Sequence, residues 1–552
     1  MSTASAPFPP NRRITGGEAI VESLVAHGVD TVFALPGAQI YGLCDALASN
    51  RSLIRTIGAR HEQASGFMAF GYARASGRPG VFAVVPGPGI LNASAALLTA
   101  HASNTPVLAL TGDVMSHFKG RERGQLHELR DQLGVLRAMT KWAEHIEHPV
   151  QAPLLVARAF QEMASGRPSA AALQAPWDFF TMRAAVRASA PLNPFADPEP
   201  DADAIDSAAK LCCDARAPMI FVGSGALDAS PEVTQLAETL GAPVVSFRGG
   251  RGVVSDDHPL GCTIAAGARL WPQTDLAVVI GSRFELLDMR WRYRPDGLKI
   301  IRIDIDPAEI RRLPAAVNIV ADAGTASLAL GSAVLKAGTP RHRADDIAAA
   351  KAAAAAAIET VQPQIGYLKV IRDVLPRDGF FVEEICQVGF ASIFGFPVYH
   401  PRTLVTAGQQ GTLGFGFPTA LGVKIACPDR AVVSIAGDGG FMFAAQELAT
   451  AVQYGINLVT IVFNNDSYGN VLRDQETVFG GRLLGSELIN PDFVKFAEAF
   501  GVEAHRVASP DALRPVIERA FAADRPVLIE VVVPRRSEGN PWQFINPRFK
   551  PG

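Results

Sequence analysis

Short apolar runs recur along the whole chain, separated by longer stretches in which apolar and polar residues mix. The runs include TVFAL, GVFAVV, PMIFVG, AVVSIAG and LVTIVF. Runs of this length are typical of strands buried on both faces, and the stretches between them are long enough for crossover helices. The alternation predicts an α/β protein built from parallel sheets.

Two shifts in composition divide this pattern. Residues 186–203 are rich in proline and acidic residues, and residues 342–362 form an alanine-rich stretch that predicts a helical connector. With 552 residues, the chain is several times the usual domain length. We therefore expect three doubly wound parallel-sheet domains and a short tail, at residues 1–188, 200–340, 360–535 and 536–552.

The composition narrows the function classes. Hydrophobic residues make up 48% of the chain and charged residues 19%, which is ordinary for a folded enzyme and excludes a mainly disordered protein. The net charge is −3, with 51 Lys and Arg against 54 Asp and Glu. Because no basic stripe stands out, we expect neither nucleic acid nor a membrane surface as a partner.

Cysteine usage and the N-terminus predict the compartment. The six cysteines are scattered without a CxxC pair, which favours a reducing environment over a disulfide framework or a zinc site. The opening MSTASAPFPPNRR has no apolar stretch of the signal-peptide kind, and no window reaches the roughly 18 apolar residues of a membrane span. We expect a cytoplasmic protein.

Polar residues follow two successive apolar runs near the C-terminus. The run 431–436 leads into Gly437-Asp438-Gly439, and the run 458–463 leads into Asn464-Asn465. In a parallel βαβ unit both strands end at the same sheet edge, so Asp438 and Asn465 should face each other. Carboxylate and amide oxygens suit Mg²⁺, and glycines let the backbone approach phosphates. The motif predicts a site for a metal-bound diphosphate.

This GDG motif with its later asparagine pair resembles the signature of thiamine diphosphate enzymes. The resemblance implies that magnesium is held by Asp438, the side chain of Asn465 and the main-chain carbonyl of Ser467. It also implies cofactor contacts at Gly437, Gly439, Gly440, Tyr468 and Gly469. For GDG alone, a glycine-rich turn in another nucleotide-binding fold would be an equal alternative.

The same family requires a carboxylate that hydrogen-bonds N1′ of the cofactor's aminopyrimidine. The segment GARHEQASGFMAFGYARASGRPGV resembles the family's catalytic-glutamate region, which implies that Glu62 is this carboxylate. The alternative is an acidic residue that favours a helix N-terminus. In GQQGTLGFGFPTALG, the resemblance implies that Leu413 supports the bent cofactor and that the carbonyl of Gly411 accepts from its amino group. On pattern alone, Leu413 is an ordinary core residue.

Over nearly its whole length the chain resembles the acetolactate synthase and 2-oxo acid decarboxylase superfamily, through segments such as QLHELRDQ, GRGVVSDDHPLG and NPDFVKFAEAFG. This resemblance implies pyrimidine-binding, central and diphosphate-binding domains, in that order, and a homodimer or homotetramer with shared sites. Two stretches depart from the acetolactate synthase pattern. LGCTIAAGA replaces a Met-His-Gly stretch, which puts FAD in doubt, and GNVLRDQ alters residues near the substrate.

Several polar residues lie in segments that the family brings near the cofactor. His127 is the candidate for a second acid or base, with a surface or structural histidine as the alternative. Arg473 could pair with a substrate carboxylate or could be solvent-exposed. The remaining pocket candidates are Gln39, Tyr41, Gln125, Asn470 and Gln475. In the central domain, the glycines after strands at 219–227 and 276–285 could hold FAD or ADP, or could be turns.

These features predict a thiamine diphosphate- and Mg²⁺-dependent lyase or carboligase that acts on a 2-oxo acid. One alternative is a 2-hydroxyacyl-CoA lyase or another thiamine enzyme that cleaves a carbon–carbon bond. A catalytically silent homologue that serves as a binding subunit is the alternative from a different class. The presence of Glu62, Asp438 and Asn465 together argues against the silent homologue.

Overall fold

The computed structural model describes residues 12–338 and 342–549. The stretch at residues 1–11, which entered the compartment prediction, lies outside the described residues, as do the predicted domain limits at residues 1, 340 and 552. The chain divides into two compact units. The first contains the described residues up to Ala196 with 409–428 and 444–456, and the second contains those of 197–408, 429–443 and 457 onward.

The described residues form twenty strands, which are short, and half of them are fully buried. They are β1 Arg12–Thr15, β2 Thr31–Ala34, β3 Arg55–Gly58, β4 Gly80–Val84, β5 Val107–Asp113, β6 Trp142–His145, β7 Ala171–Pro176, β8 Arg183–Val186, β9 Pro218–Val222, β10 Val244–Ser246, β11 Gly261–Cys262, β12 Leu276–Ile280, β13 Lys299–Asp304, β14 Val317–Val320, β15 Phe380–Val382, β16 Leu404–Val405, β17 Val432–Gly437, β18 Val459–Asn464, β19 Glu503–Val507 and β20 Val527–Val532.

Twenty-two α-helices lie between these strands in the described residues. They are α1 Gly16–Ala26, α2 Tyr41–Ser49, α3 Glu62–Ser76, α4 Pro88–Asn92, α5 Ser94–Ala102, α6 Gln132–Met139, α7 Ala152–Ala164, α8 Ala202–Asp214, α9 Ser230–Leu240, α10 Ile264–Leu270, α11 Pro307–Ile310, α12 Ala323–Ala337, α13 Ala344–Ile358, α14 Gln364–Val374, α15 Gln387–Gly395, α16 Gly416–Ala426, α17 Asp438–Phe441, α18 Leu448–Tyr454, α19 Gly469–Thr477, α20 Phe493–Ala499, α21 Pro510–Ala522 and α22 Trp542–Ile545.

The first unit is built on a six-stranded sheet in the order β3-β2-β4-β5-β7-β6, in which every neighbouring pair is parallel. A separate antiparallel pair joins β1 to β8. Strands β4, β5 and β7 are buried along their whole length, as expected for a parallel sheet covered on both faces.

Helices α3 and α16 cross closely within the first unit because each carries a glycine at the crossing. A Cβ atom at Gly71 would overlap the carbonyl oxygen of Thr419, and a Cβ atom at Gly422 would overlap the carbonyl oxygen of Met68. The ring of Phe415 packs edge-on nearby, with its centroid 5.3 Å from that of Phe67. The small residues along α3 therefore serve helix packing.

Replacing Gly71 with alanine is expected to destabilise the protein by about 1–3 kcal/mol, because the added methyl group pushes against backbone that has no rotamer to change. Gly331→Ala in α12 is the matched control, since its Cβ would meet only one atom, at 3.8 Å. That variant should be unchanged or slightly more stable. Denaturant unfolding of both variants checks this, and equal stability would contradict the tight crossing.

The second unit contains two more six-stranded sheets, again with every neighbouring pair parallel. Their strand orders are β11-β10-β9-β12-β13-β14 and β16-β15-β17-β18-β20-β19. One continuous cluster of buried apolar side chains reaches from the first of these sheets to the second, through residues such as Phe221, Trp271, Val361, Phe381 and Ile461. With the sheet of the first unit, they confirm the predicted α/β class and its three parallel sheets.

Ligands of open α/β sheets bind at the loops that follow the carboxyl ends of the parallel strands. Strands β17 and β18 are direct neighbours, with Gly437 paired to Phe463. Their ends therefore lie side by side, which positions the loops described below. In the described part of the chain, no helix has the length and apolar character needed to cross a membrane. The cytoplasmic location and the exact domain boundaries stay predictions.

Candidate active site

The three candidate metal ligands meet at the ends of β17 and β18. Asp438 follows the last residue of β17, Gly437, and Asn465 follows the last residue of β18. The backbone N–H of Ser467 donates to Asp438 Oδ2 at 3.2 Å and to Asn465 Oδ1 at 3.1 Å. The hydroxyl of Ser467 also donates to Asn465 Oδ1, at 2.8 Å. Asp438 and Asn465 therefore lie close together, as predicted for the ends of neighbouring strands in a parallel βαβ unit.

Asp438 is a carboxylate with little access to water. It is 2% exposed, and burial raises its pKa to about 6, against the lowering effect of hydrogen bonds from Gly439, Asn490 and Ser467. A buried carboxylate is costly to ionise without an opposite charge. The donor set at these strand ends, one carboxylate with amide and carbonyl oxygens, is of the hard-oxygen kind that Mg²⁺ prefers.

Asn490 is a site residue that sequence reasoning missed. Its Nδ2 donates to Asp438 Oδ2 at 2.7 Å, to Asn464 Oδ1 at 3.1 Å and to Asp466 Oδ1 at 3.2 Å. With the Ser467 N–H, it fixes one oxygen of Asp438. The only signal in the sequence was its place at the start of the NPDF segment, to which no role was assigned.

The glycines of the motif sit where a side chain would collide. A Cβ atom at Gly439 would overlap the ring of Tyr468, and one at Gly440 would overlap the carboxylate of Glu384. The loops after β17 and β18 are therefore packed so closely that only backbone fits between them. This close packing is the kind of cradle in which main-chain groups can reach a phosphate.

Gln387, at the start of α15, is a second residue that the sequence did not reveal. It is 4% exposed, and among the described residues neither its amide oxygen nor its amide nitrogen has a hydrogen-bond partner. A Cβ atom built on Gly469 would lie 3.6 Å from this nitrogen and 2.9 Å from Asn465 Nδ2, so both amides lie beside Gly469. Burying an amide group without hydrogen-bond partners costs free energy. A ligand with oxygen acceptors at this place would provide partners for the amide N–H groups.

Helix α19, which follows Asn465, carries the remaining candidates of the second unit. Asn470 Oδ1 accepts from the indole N–H of Trp542 at 2.7 Å. Arg473 is half-buried rather than exposed, and burial lowers its pKa. Its Nη1 is buried and has no hydrogen-bond partner among the described residues. Gln475 holds a loop, since its Oε1 accepts from the N–H of Leu484 at 3.1 Å.

Glu62 begins α3 in the first unit, where it is half-exposed. The preceding His61 caps the helix by accepting from the N–H of Gln63 at 3.2 Å. Glu62 lies in the first turn of the helix, where a negative charge is favourable, so its catalytic role stays a prediction beside this alternative. Its Oε2 accepts from Asn92 Nδ2 at 3.1 Å.

Gly411 and Leu413 lie in the loop before α16. Gly411 has φ +56°, in the left-handed region that favours glycine. Leu413 is half-exposed, so it is not the ordinary core residue that its pattern alone suggested. Thr412, between them, lies 3.3 Å from the hydroxyl of Thr99.

Gln39 and His127 come together in the first unit. Gln39 is 1% exposed, its Oε1 lies 2.9 Å from His127 Nδ1, and its Nε2 donates to the carbonyl of Leu126 at 2.6 Å. His127 has φ +58°, a conformation that costs about 1–2 kcal/mol in a residue with a side chain. Gln125 donates its N–H to Glu128 at 2.9 Å, and Tyr41 is 60% exposed.

The glycines of the central sheet pack against each other. A Cβ atom at Gly223, after β9, would overlap the carbonyl of Gly281, after β12, and one at Gly225 would lie 2.9 Å from the Gly281 Cα. Arg302 of β13 is 1% exposed and donates to the carbonyl of Ser282 at 3.0 Å. These loops therefore use their glycines in contacts with one another.

Comparison with known proteins assigns the three sheets to one family. Residues 386–531 match the C-terminal TPP binding domain of thiamine pyrophosphate enzymes, residues 14–135 match their N-terminal TPP binding domain, and residues 205–330 match their central domain.

Named relatives align with the chain almost from end to end. A probable 2-ketoarginine decarboxylase of Pseudomonas aeruginosa is 34% identical over 543 residues, covering 95% of each chain. A probable acetolactate synthase large subunit of Methanocaldococcus jannaschii is 33% identical, covering 94% of this chain and 92% of its own. The acetolactate synthase large subunit of Haemophilus influenzae is 31% identical, covering 97% of each.

Proposed function

Because the chain belongs to the thiamine diphosphate enzymes, with both TPP-binding domains and the central domain matched, we propose that it is a magnesium-dependent lyase or carboligase that acts on a 2-oxo acid. One observation carries the proposal most directly. Asp438, Asn465 and Ser467 converge at two neighbouring strand ends, beside the unmatched amide of Gln387.

The residues present fit a magnesium diphosphate. Asp438, the Asn465 amide oxygen and the Ser467 carbonyl would hold the cation, while the Gln387 amide and the main chain around Gly439 would meet phosphate oxygens. When bound, thiamine diphosphate supplies a nucleophilic carbon that attacks the carbonyl group of a 2-oxo acid.

Glu62 is the proposed partner of the aminopyrimidine. Its half-exposed carboxylate stands at the first turn of α3, and its hydrogen bond from Asn92 leaves further acceptor capacity on the same group. Leu413 would support the ring system of the cofactor, and the carbonyl of Gly411 would accept a hydrogen bond from its amino group.

On the substrate side, Arg473 is the proposed partner of the 2-oxo acid carboxylate. A guanidinium nitrogen that is buried and unmatched supports this role, because an incoming carboxylate would satisfy it. His127, oriented by Gln39, is the proposed second acid or base. Tyr41, Gln125 and Asn470 are the other residues proposed to contact the substrate.

The relatives support two outcomes of the same chemistry. The name of the Pseudomonas relative supports simple decarboxylation, and the names of the acetolactate synthases support transfer to a second carbonyl group. The packing of Gly223, Gly225 and Gly281 against one another supports the interpretation that these glycines form turns. The proposal therefore includes neither FAD nor ADP. This packing also gives no support to the alternative of a 2-hydroxyacyl-CoA lyase, because that enzyme needs a nucleotide site in the central domain.

We propose that the active form is a homodimer or a homotetramer. Several large apolar side chains beside the metal motif and after the asparagine pair are exposed, and this supports a second subunit that covers them. They include Met442, Phe443, Val471, Val478, Phe479 and Ile489. Sedimentation of the purified chain tests this assembly.

Release of CO₂ from a panel of 2-oxo acids is the experiment that tests the proposed function. Each acid is assayed with and without an added aldehyde, after dialysis against a chelator and after restoring Mg²⁺ and thiamine diphosphate. We expect CO₂ release that requires both additions. The proposal would be contradicted if CO₂ release persisted without Mg²⁺ and thiamine diphosphate. It would also be contradicted if no acid in the panel released CO₂.

A further inference from the structure

Glu538 lies in the segment between β20 and α22, which the sequence suggested was a mere tail. Its Oε2 accepts a hydrogen bond from Asn465 Nδ2 at 2.7 Å. On the other side of the same amide, Asn465 Oδ1 accepts from the backbone N–H and the hydroxyl of Ser467. A carboxylate accepts hydrogen bonds and an amide has one donating end, so this contact defines which way the amide points.

The backbone on both sides of Glu538 is anchored. The N–H of Gly539 donates to the carbonyl of Gln362 at 2.8 Å, and Gln364 Nε2 donates to the carbonyl of Gly539 at 2.7 Å. On the other side, the N–H of Val533 donates to the carbonyl of Asn464 at 2.8 Å, and the side chain of Arg535 donates to the carbonyl of Asp466 at 2.6 Å. The segment that carries Glu538 is thus held in place by contacts that do not involve the side chain of Asn465.

We infer that Glu538 is a positioning residue that turns the amide oxygen of Asn465 toward the divalent cation. This inference rests on the proposed function, in which Asn465 is a ligand. Residues that orient a metal ligand from behind typically change metal affinity by about 10–100-fold when they are removed.

Magnesium binding measured without turnover tests this role. The chain is freed of metal with a chelator, and Mg²⁺ is titrated calorimetrically in the presence of thiamine diphosphate. Glu538→Ala is expected to weaken Mg²⁺ binding by about 10–100-fold. Glu538→Gln keeps an acceptor for Asn465 Nδ2, so it should bind Mg²⁺ much more tightly than the alanine variant.

Glu476→Gln is the matched control, because Glu476 pairs with Arg536 in the same region of the unit at 2.6 Å and the pair is partly solvent-accessible. It should bind Mg²⁺ like the unaltered chain. Thermal melts of the metal-free variants show whether each is folded. If Glu538→Ala fails to fold, Glu538→Asp decides, since it keeps the charge but withdraws the carboxylate and should also weaken binding.

The outcomes separate the two claims. If the unaltered chain binds neither Mg²⁺ nor thiamine diphosphate, the proposed function fails and the role of Glu538 fails with it. If the unaltered chain binds both and Glu538→Ala binds Mg²⁺ equally well, the positioning role alone is overturned. Equal weakening in Glu538→Gln and Glu538→Ala would also overturn it, because charge rather than orientation would then be responsible.

Discussion

Replacing Glu62 with glutamine is expected to lower CO₂ release by about 10²–10⁴-fold, the usual contribution of a general acid–base group. Glutamine has the same shape and keeps the place of Glu62 at the first turn of α3, so the cofactor should still bind. Its amide cannot give a proton to the aminopyrimidine and take it back, as a carboxyl group can. Steady-state kinetics with saturating Mg²⁺ and thiamine diphosphate measure the loss.

The control for this variant is Glu162→Gln in α7. Glu162 forms an ion pair with Arg158 at 2.6 Å in the same unit, and such surface pairs contribute little to stability. Activity should be unchanged in the control. Full activity in Glu62→Gln would refute the assignment of this carboxylate, whereas loss of cofactor binding would show that its role is structural.

Replacing Asp438 with alanine is expected to have the largest effect on cofactor binding. The variant removes the one carboxylate among the proposed ligands, so Mg²⁺ should bind more weakly by a larger factor than the about 10–100-fold expected for an outer residue such as Glu538. Thiamine diphosphate should lose affinity in parallel, because its diphosphate is held through the cation. Calorimetric titration of metal and cofactor measures both losses.

Asp429→Asn provides the comparison for Asp438. Asp429 is exposed in the turn before β17, so the variant changes a charge near the same strand without touching the site. It should bind metal and cofactor like the unaltered chain. If Asp438→Ala retained normal affinity for both, the metal would have to bind elsewhere.

The sequence predicted those parts of the site that depend on local order along the chain. Strands β17 and β18 each end in a polar residue, and the rule for parallel βαβ units placed Asp438 and Asn465 side by side, as the structure does. The apolar runs likewise predicted parallel sheets, because strands buried on both faces leave a continuous apolar signal.

The residues that surround these two could not be found in that way. Asn490 lies 52 residues after Asp438, Glu538 lies 73 residues after Asn465, and Gln387 precedes both strands. No periodicity or spacing rule links such positions, since loops from several strands bring them together. Their roles became visible only from hydrogen bonds and, for Gln387, from unmatched buried atoms.

The division of the chain shows a similar limit. Sequence composition favoured three successive domains, yet residues 409–428 and 444–456 group with the first unit. For residues 409–428 the reason is the close packing of α3 on α16, made possible by Gly71 and Gly422. Residues 444–456 are held by hydrogen bonds such as that from the N–H of Gly58 to the hydroxyl of Tyr454, at 2.8 Å. A glycine within a helix gives no indication from sequence of the distant backbone that it will contact.

Exchange of the C2 proton of thiamine diphosphate with solvent deuterium is the most direct measurement of whether this chain activates the cofactor. With Mg²⁺ present, the unaltered chain should accelerate the exchange far above the rate of the free cofactor, and Glu62→Gln should remove most of that acceleration. Exchange no faster than in free solution, with the cofactor shown to be bound, would contradict the account.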